Sequence, residues 1–386
     1  MTKPADTLFP AADDPVAAHS TGILPSQAIR DLIGEGVLAG TPAIAEDQIQ
    51  PASLDLRLGS TAYRVRASFL PGPAHTVRQK IDSLGMHEIG LKDGAVLERG
   101  GVYIVSLAEE AHLKKDMTGV ANPKSSTGRL DVFTRMIADY AQRFDRVEES
   151  YRGPLYVEIS PRTFPVVVRA GSRLVQLRLR RGHPAPTIVG TRRLHERVGL
   201  IRGEGDTDLG ARISREVPVS VDLKGDPATG IVGYKAKAHT GLIDVDKTGA
   251  YAVTDFWEPV MANAAATLIL DPDAFYILAS REDVTVPPDH AAEMDPINPL
   301  HGEFRVHYAG FFDPGFGHSE SGGTGSKAVL EVRSFEVPFV LEHGQTVGQL
   351  VYERLIAVPD KVYGGAALKS SYQRQGLKLS RHFRAE

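Results

Sequence analysis

Cysteine is absent from the 386 residues, and its absence excludes a disulfide framework, a thiolate metal site and a thiol nucleophile. An excess of charge is also missing. The 44 lysines and arginines against 48 aspartates and glutamates leave a formal net charge of −4, which offers no general attraction to nucleic acid or to an anionic membrane. The longest apolar run, near Ala262 to Leu270, is far too short to cross a bilayer, and residues 1–20 hold neither a basic start nor an apolar core. A soluble cytoplasmic protein is therefore expected. Thirteen histidines are present but none forms an HxH or HExxH pair, so no catalytic zinc site is expected.

What the chain does contain is itself, twice. Tyr103, Glu109, Asp116 and Pro123 return after 173 residues as Tyr276, Glu282, Asp289 and Pro296. Glu158, Pro165, Gly171, Gln176 and Leu177 return as Glu331, Pro338, Gly344, Gln349 and Leu350. A period this long is a whole domain, since solenoid repeats run to about 20 to 50 residues. Between the two conserved blocks the first copy reads Lys124-Ser125-Ser126-Thr127-Gly128-Arg129, whereas the second has Ile297, Asn298 and Gly302 at the positions of Lys124, Ser125 and Arg129. The polar cluster places the expected chemistry in the first copy, and the second reads as a degenerate scaffold.

Residues 1–22 read as a flexible lead-in. Ser26 is the expected N-cap of a helix that carries Ile29, Leu32, Ile33 and Val37 on one face. Short β-branched and apolar runs follow, at Ser53 to Leu58, Val102 to Leu107, Leu155 to Ile159, Phe164 to Val168 and Leu174 to Leu179. Such strands, bounded by Gly, Pro and Asp, predict a mainly β chain of sandwich or barrel type with a few short helices. Residues 23–180 form the first domain, 181–216 a polar linker without a long periodic run, and 217–358 the second domain. Val217 to Leu223 echoes Ile49 to Leu56 at a slightly different offset. Residues 359–386 form a tail whose composition suits wrapping a ligand rather than building a core.

The Lys124 to Arg129 segment offers two cations, three hydroxyls and a glycine, which suits a phosphorylated ligand but also describes a solvated turn. Glu158 lies on a strand face with Tyr156, opposite Val157 and Ile159. It is either a surface residue or a partly buried acid able to shuttle a proton. Arg143-Phe144-Asp145 precedes that strand, where Asp145 either orients a sugar hydroxyl or water or closes an Asx turn.

Ile49 to Gly59 (IQPASLDLRLG), Lys124 to Arg129, Gln142 to Asp145, Gly153 to Glu158 and Ala170 to Leu179 (AGSRLVQLRL), in that order, resemble deoxycytidine triphosphate deaminase, of the trimeric deoxyuridine triphosphatase superfamily. Ser371 to Ser380 resembles the family's triphosphate-covering segment. The resemblance implies two tandem distorted β-barrel or jelly-roll domains, a homo-oligomer built on threefold contacts with sites at interfaces, and conversion of dCTP to dUTP and ammonia. It implies Glu158 as general base, with Ser125 and Arg129 around the base and the attacking water. Lys124, Ser126, Arg143, Asp145, Tyr372, Gln375 and Lys378 would bind substrate. Mg2+ would enter through the triphosphate. Zinc would not, because zinc-dependent nucleobase deaminases need cysteine ligands that this chain lacks. Two other readings stay open: hydrolysis of dUTP to dUMP, alone or after deamination, with Asp145 placing the water, and a non-catalytic nucleotide-binding protein.

Overall fold

A computed structural model of the protein describes residues 19–203, 210–296, 304–307, 310–319, 323–334, 336–365 and 375–384. Ile297, Asn298, Gly302 and Tyr372 lie outside these residues. The chain is mainly β with few helices.

In the first half, Leu58–Val65, Val102–His112, Arg152–Pro161 and Val132–Ala138 are consecutive neighbours in a six-stranded sheet. Facing strands Leu54–Leu56, Val175–Arg181 and Met117–Pro123 belong to a second sheet. The second half repeats this arrangement. Ile231–Ala236, Phe275–Val284, Ser326–Ser334 and Phe304–His307 pair in order, and Val217–Ser220, Thr346–Arg354 and His290–Pro296 form the companion sheet. The duplication holds residue by residue. Glu158 stands opposite Ile104 and Glu331 opposite Ile277. Tyr103 and Tyr276 each accept, through the hydroxyl, a backbone N–H from five residues upstream.

One register differs from the sequence reading. Leu56 faces Val175 while Val219 faces Gly348, and the buried acids Glu109 and Glu282 accept the backbone N–H of Arg57 and Ser220 respectively. Val217 to Val221 therefore matches Leu54 to Leu58, four residues away from the apparent echo of proline, serine and aspartate. Asp55 consequently has Pro218, not Asp222, as its counterpart. The pairing of sheet hydrogen bonds, which the letters do not display, sets this alignment.

The helix near the start spans Ser26–Gly34, with Pro25 rather than Ser26 as its N-cap; the Ser26 hydroxyl bonds Asp360 instead. Two other helices have weak sequence signals. Val77–Leu84 begins with a capping box of Thr76 and Gln79. Ile188–Val198 lies inside the segment expected to be an irregular linker, capped by Thr187 and ended by Gly199 at φ 66°. Only Thr191 and Leu194 of it are buried, which is why no long apolar period marks it.

One buried cluster joins the two halves, while the second half keeps another of its own around Val219, Leu278, Leu330 and Leu350. Leu54, Val105, Val157 and Phe164 of the first half belong to the same buried cluster as Ile243, Trp257, Ile277 and Phe383. Phe164 meets Trp257 edge-on at 5.4 Å, and Phe383 lies 5.5 Å from Phe256 and 5.9 Å from Trp257. Thus the tail contributes to the core, because Leu379 and Phe383 are buried there. Ile243–Asp244 of the second half runs parallel to Val166–Val168 and extends its pairing with Ala95–Leu97. No helix among the described residues is long and apolar enough to cross a membrane.

Candidate active site at the junction of the two halves

A cavity of about 970 Å³ opens where the halves meet. Its first-half wall includes Lys124, Ser125, Ser126 and Arg129, and its second-half wall includes Phe311, Asp313 and Glu331. Gln375 of the tail also lines it.

Pro123 ends a strand, and Ser125–Gly128 then makes a single helical turn in which the N–H groups of Thr127 and Gly128 donate to the Lys124 carbonyl at 2.7 and 3.0 Å. This turn aims Lys124 and Arg129 inward. Lys124 is ion-paired with the buried Asp55. The Arg129 guanidinium donates through Nη1 to the Lys378 carbonyl at 2.9 Å and through both Nη atoms to Gln375 Oε1 at 3.2 Å. Its Nε stands 3.9 Å from Glu331 Oε1.

Glu331 projects from the middle of Ser326–Ser334 and is 7% exposed. Burial, partly opposed by Arg129, pushes its carboxyl up to about 8. A group titrating there can both accept and return a proton near neutrality. Asp313 is held by Arg178 at 3.3 Å, and burial raises its carboxyl as well. Phe312 and Phe316, packed edge-on at 5.1 Å, supply an apolar wall. Toward the mouth, Arg30 pairs with Glu46 and Asp360, Lys361 with Glu46, and Arg173 with Asp47. No cluster of three or more metal-ligating side chains occurs among the described residues.

The structure thus brings together Lys124, Ser125, Ser126, Arg129 and Gln375, and it brings Lys378 in through its carbonyl. It does not bring Glu158 to them. Glu158 Oε1 instead accepts Arg135 Nη2 at 2.7 Å and Nε at 3.2 Å, and Arg135 also bonds Ser68 and stacks 3.7 Å from the centre of Phe144. The acid beside Arg129 is the other copy's, Glu331. Arg143 makes an exposed ion pair with Glu148 at 2.8 Å. Asp145, at φ 59°, exchanges hydrogen bonds with Met136, accepting its N–H through Oδ1 at 2.7 Å, and so ties off the loop that follows Val132–Ala138, outside the cavity lining. Its carboxyl is raised to about 7 by burial. Sequence reasoning passed over Asp55, Phe311 and Asp313 as cavity-lining residues and read Glu331 as part of a degenerate scaffold, whereas all four line the cavity. No signal in the sequence favoured Glu331 over Glu158, because both copies keep the acid.

Two family models match consecutive stretches: the 2′-deoxycytidine 5′-triphosphate deaminase N-terminal domain over residues 20–183, and its C-terminal domain over 187–383. A crystal structure of 2′-deoxycytidine 5′-triphosphate deaminase from Agrobacterium tumefaciens is 57% identical, covering 87% of this chain and 100% of that one, with a TM-score of 0.82. A dCTP deaminase of Halorubrum lacusprofundi is 28% identical over 159 residues, 40% of this chain and 75% of that protein. A dUMP-forming dCTP deaminase of Leifsonia xyli subsp. xyli is 35% identical over 120 residues, 30% of this chain and 55% of that protein. The chain belongs to the 2′-deoxycytidine 5′-triphosphate deaminase family of enzymes.

Proposed function

We propose that the chain deaminates dCTP at a single composite site, with the first half supplying Ser125 and Arg129 and the second supplying the base, Glu331. The observation that carries this reading is the buried Glu331 carboxyl, titrating at about 8, set 3.9 Å from Arg129 in a cavity lined by Ser125. Glu331 takes a proton from water as its oxygen adds to C4 of the cytosine. That proton passes to the ring nitrogen N3 and stays there; as the C4–N bond of the tetrahedral intermediate breaks, Glu331 relays the proton of the new C4 hydroxyl to the leaving amine, so water and dCTP give dUTP and ammonia. Arg129 and Ser125 hold the water and stabilise charge on the tetrahedral intermediate.

The phosphates fit the cationic end. Lys124, Arg173 and Lys361 line the same cavity as Ser126, and their present carboxylate partners can yield to phosphate oxygens. Mg2+ enters with the triphosphate as its counter-ion, and the reaction needs no zinc. We assign the domains the distorted barrel or jelly-roll form of the deoxyuridine triphosphatase superfamily, and the chain to a cytoplasmic homo-oligomer built on threefold contacts. Support comes from the site itself, which lies between two copies of one domain as a site at a subunit interface would.

Product analysis tests the assignment. Ammonia released from dCTP without diphosphate is expected; no ammonia refutes it, and diphosphate from both dCTP and dUTP would establish the dUMP-forming variant of the reaction instead.

A further inference from the structure

Behind the approach of Arg129 to Glu331, the two halves meet in a second buried charge pair. Asp131 follows Arg129 by two residues, and Arg333 follows Glu331 by two on the same face of Ser326–Ser334. The signs are crossed, because the first half supplies cation then acid and the second supplies acid then cation. Asp131 is 1% exposed and Arg333 3%. Arg333 Nη2 donates to Asp131 Oδ2 and, at 2.9 Å, to Thr163 Oγ1, which itself donates to Asp131 Oδ2 at 2.6 Å. Arg333 Nη1 donates to the Asp273 carbonyl, and the Phe275 ring centre lies 6.0 Å from the guanidinium carbon.

The backbone of Asp131 is also informative. It stands at φ 55°, a region that side-chain-bearing residues rarely occupy. Its N–H is tied to the Gly128 carbonyl at 2.9 Å and its carbonyl to the Arg162 N–H at 2.9 Å. The conformation carries the chain out of the Ser125–Gly128 turn while turning the carboxylate toward the other half. Other pairs also cross the junction, including Arg169 with Asp244 and Arg178 with Asp313. Among the described ion pairs, Asp131 with Arg333 is the one within two residues of both Arg129 and Glu331.

We propose that Asp131 and Arg333 are positioning residues that hold Glu331 in register with Arg129 for reaction. Neither lines the cavity itself, so both act through their neighbours. The role in turnover rests on the deaminase reading given above. A displacement of about 1 Å at a reacting group can cost on the order of a hundredfold in rate, which is the scale expected when this clamp is loosened.

The test uses the full chain with Asp131→Asn, which keeps shape but removes the charge, and Arg333→Lys, which keeps charge but loses the planar fork. Arg169→Gln breaks a different junction pair as control. Turnover of dCTP and amide hydrogen exchange by mass spectrometry are measured on each. Asp131→Asn should lower kcat about a hundredfold with KM within about threefold, and exchange should rise in residues 124–131 and 326–334 alone. Arg333→Lys, the fallback if Asp131→Asn does not fold, should lower kcat about tenfold. Arg169→Gln should keep wild-type kcat. Undiminished kcat in both folded clamp variants, or a rise in exchange across the whole junction, overturns the proposal. If the unaltered protein releases no ammonia from dCTP, the deaminase reading falls by itself. The exchange pattern then decides the clamp: a rise confined to the two segments supports it, and no rise or a general one refutes it.

Discussion

Glu331→Gln should make the protein inactive and, at alkaline pH, more stable. Glutamine keeps the size and one acceptor of the side chain but cannot take a proton, so deamination should fall at least about a hundredfold. The stability effect follows from linkage. An acid whose folded pKa is raised from 4.5 to about 8 binds its proton more tightly in the folded chain, so stability is fully present below 4.5 and is lost progressively as pH rises through 8. At roughly 1.4 kcal/mol per pH unit the full loss is about 5 kcal/mol, an upper figure because the open cavity admits water around the ionised group. We expect Glu331→Gln to gain about 2–4 kcal/mol over the wild type at pH 9 and to lose that advantage near pH 4.5. Urea unfolding across this range, together with ammonia release at pH 8, measures both arms. Near wild-type turnover would remove Glu331 from the chemistry, and a variant less stable than wild type at pH 9 would refute the burial argument.

Glu158→Gln should leave turnover within about threefold, since Glu158 does not reach the cavity, while costing about 1–2 kcal/mol by weakening its bond to Arg135; a hundredfold loss of activity in the folded variant would restore Glu158 as the base. Phe383→Ala should destabilise the chain by about 3–4 kcal/mol, because the ring packs against Phe256 and Trp257 across the junction; unchanged thermal unfolding would reduce the tail to a surface strap. Prolonged zinc chelation followed by magnesium repletion should leave the deamination rate intact, and a stoichiometric zinc requirement for turnover would contradict the water activation proposed for Glu331.

The strands were legible because their apolar residues alternate or run unbroken between turn residues. Val102 to Leu107 was read as a strand and lies within Val102–His112, and Leu155 to Ile159 lies within Arg152–Pro161. The helix Ile188–Val198 was not, since it buries only Thr191 and Leu194. The segment Lys124 to Arg129 stood out through its residue types alone, and it lines the cavity. The partner acid was harder. Repetition made Glu158 and Glu331 equivalent, and nothing in the order of letters states which copy's acid faces which copy's arginine. That choice is made by packing between halves and by Arg135 and Phe144, which engage the first copy's acid on its own sheet.

The strand lent by Ile243–Asp244 to Val166–Val168 bears on how the chain is made. As the first half leaves the ribosome, its Val166–Val168 edge has no cover, and an open apolar edge is a template for wrong partners. Cover arrives only after residue 244 has been synthesised, and the aromatic cluster that joins the halves waits further, for Phe383. Synthesis at about 5–20 residues per second leaves that edge exposed for seconds. The first half is therefore the span where chaperones would be most needed and where a premature stop would yield an aggregating fragment rather than a smaller enzyme.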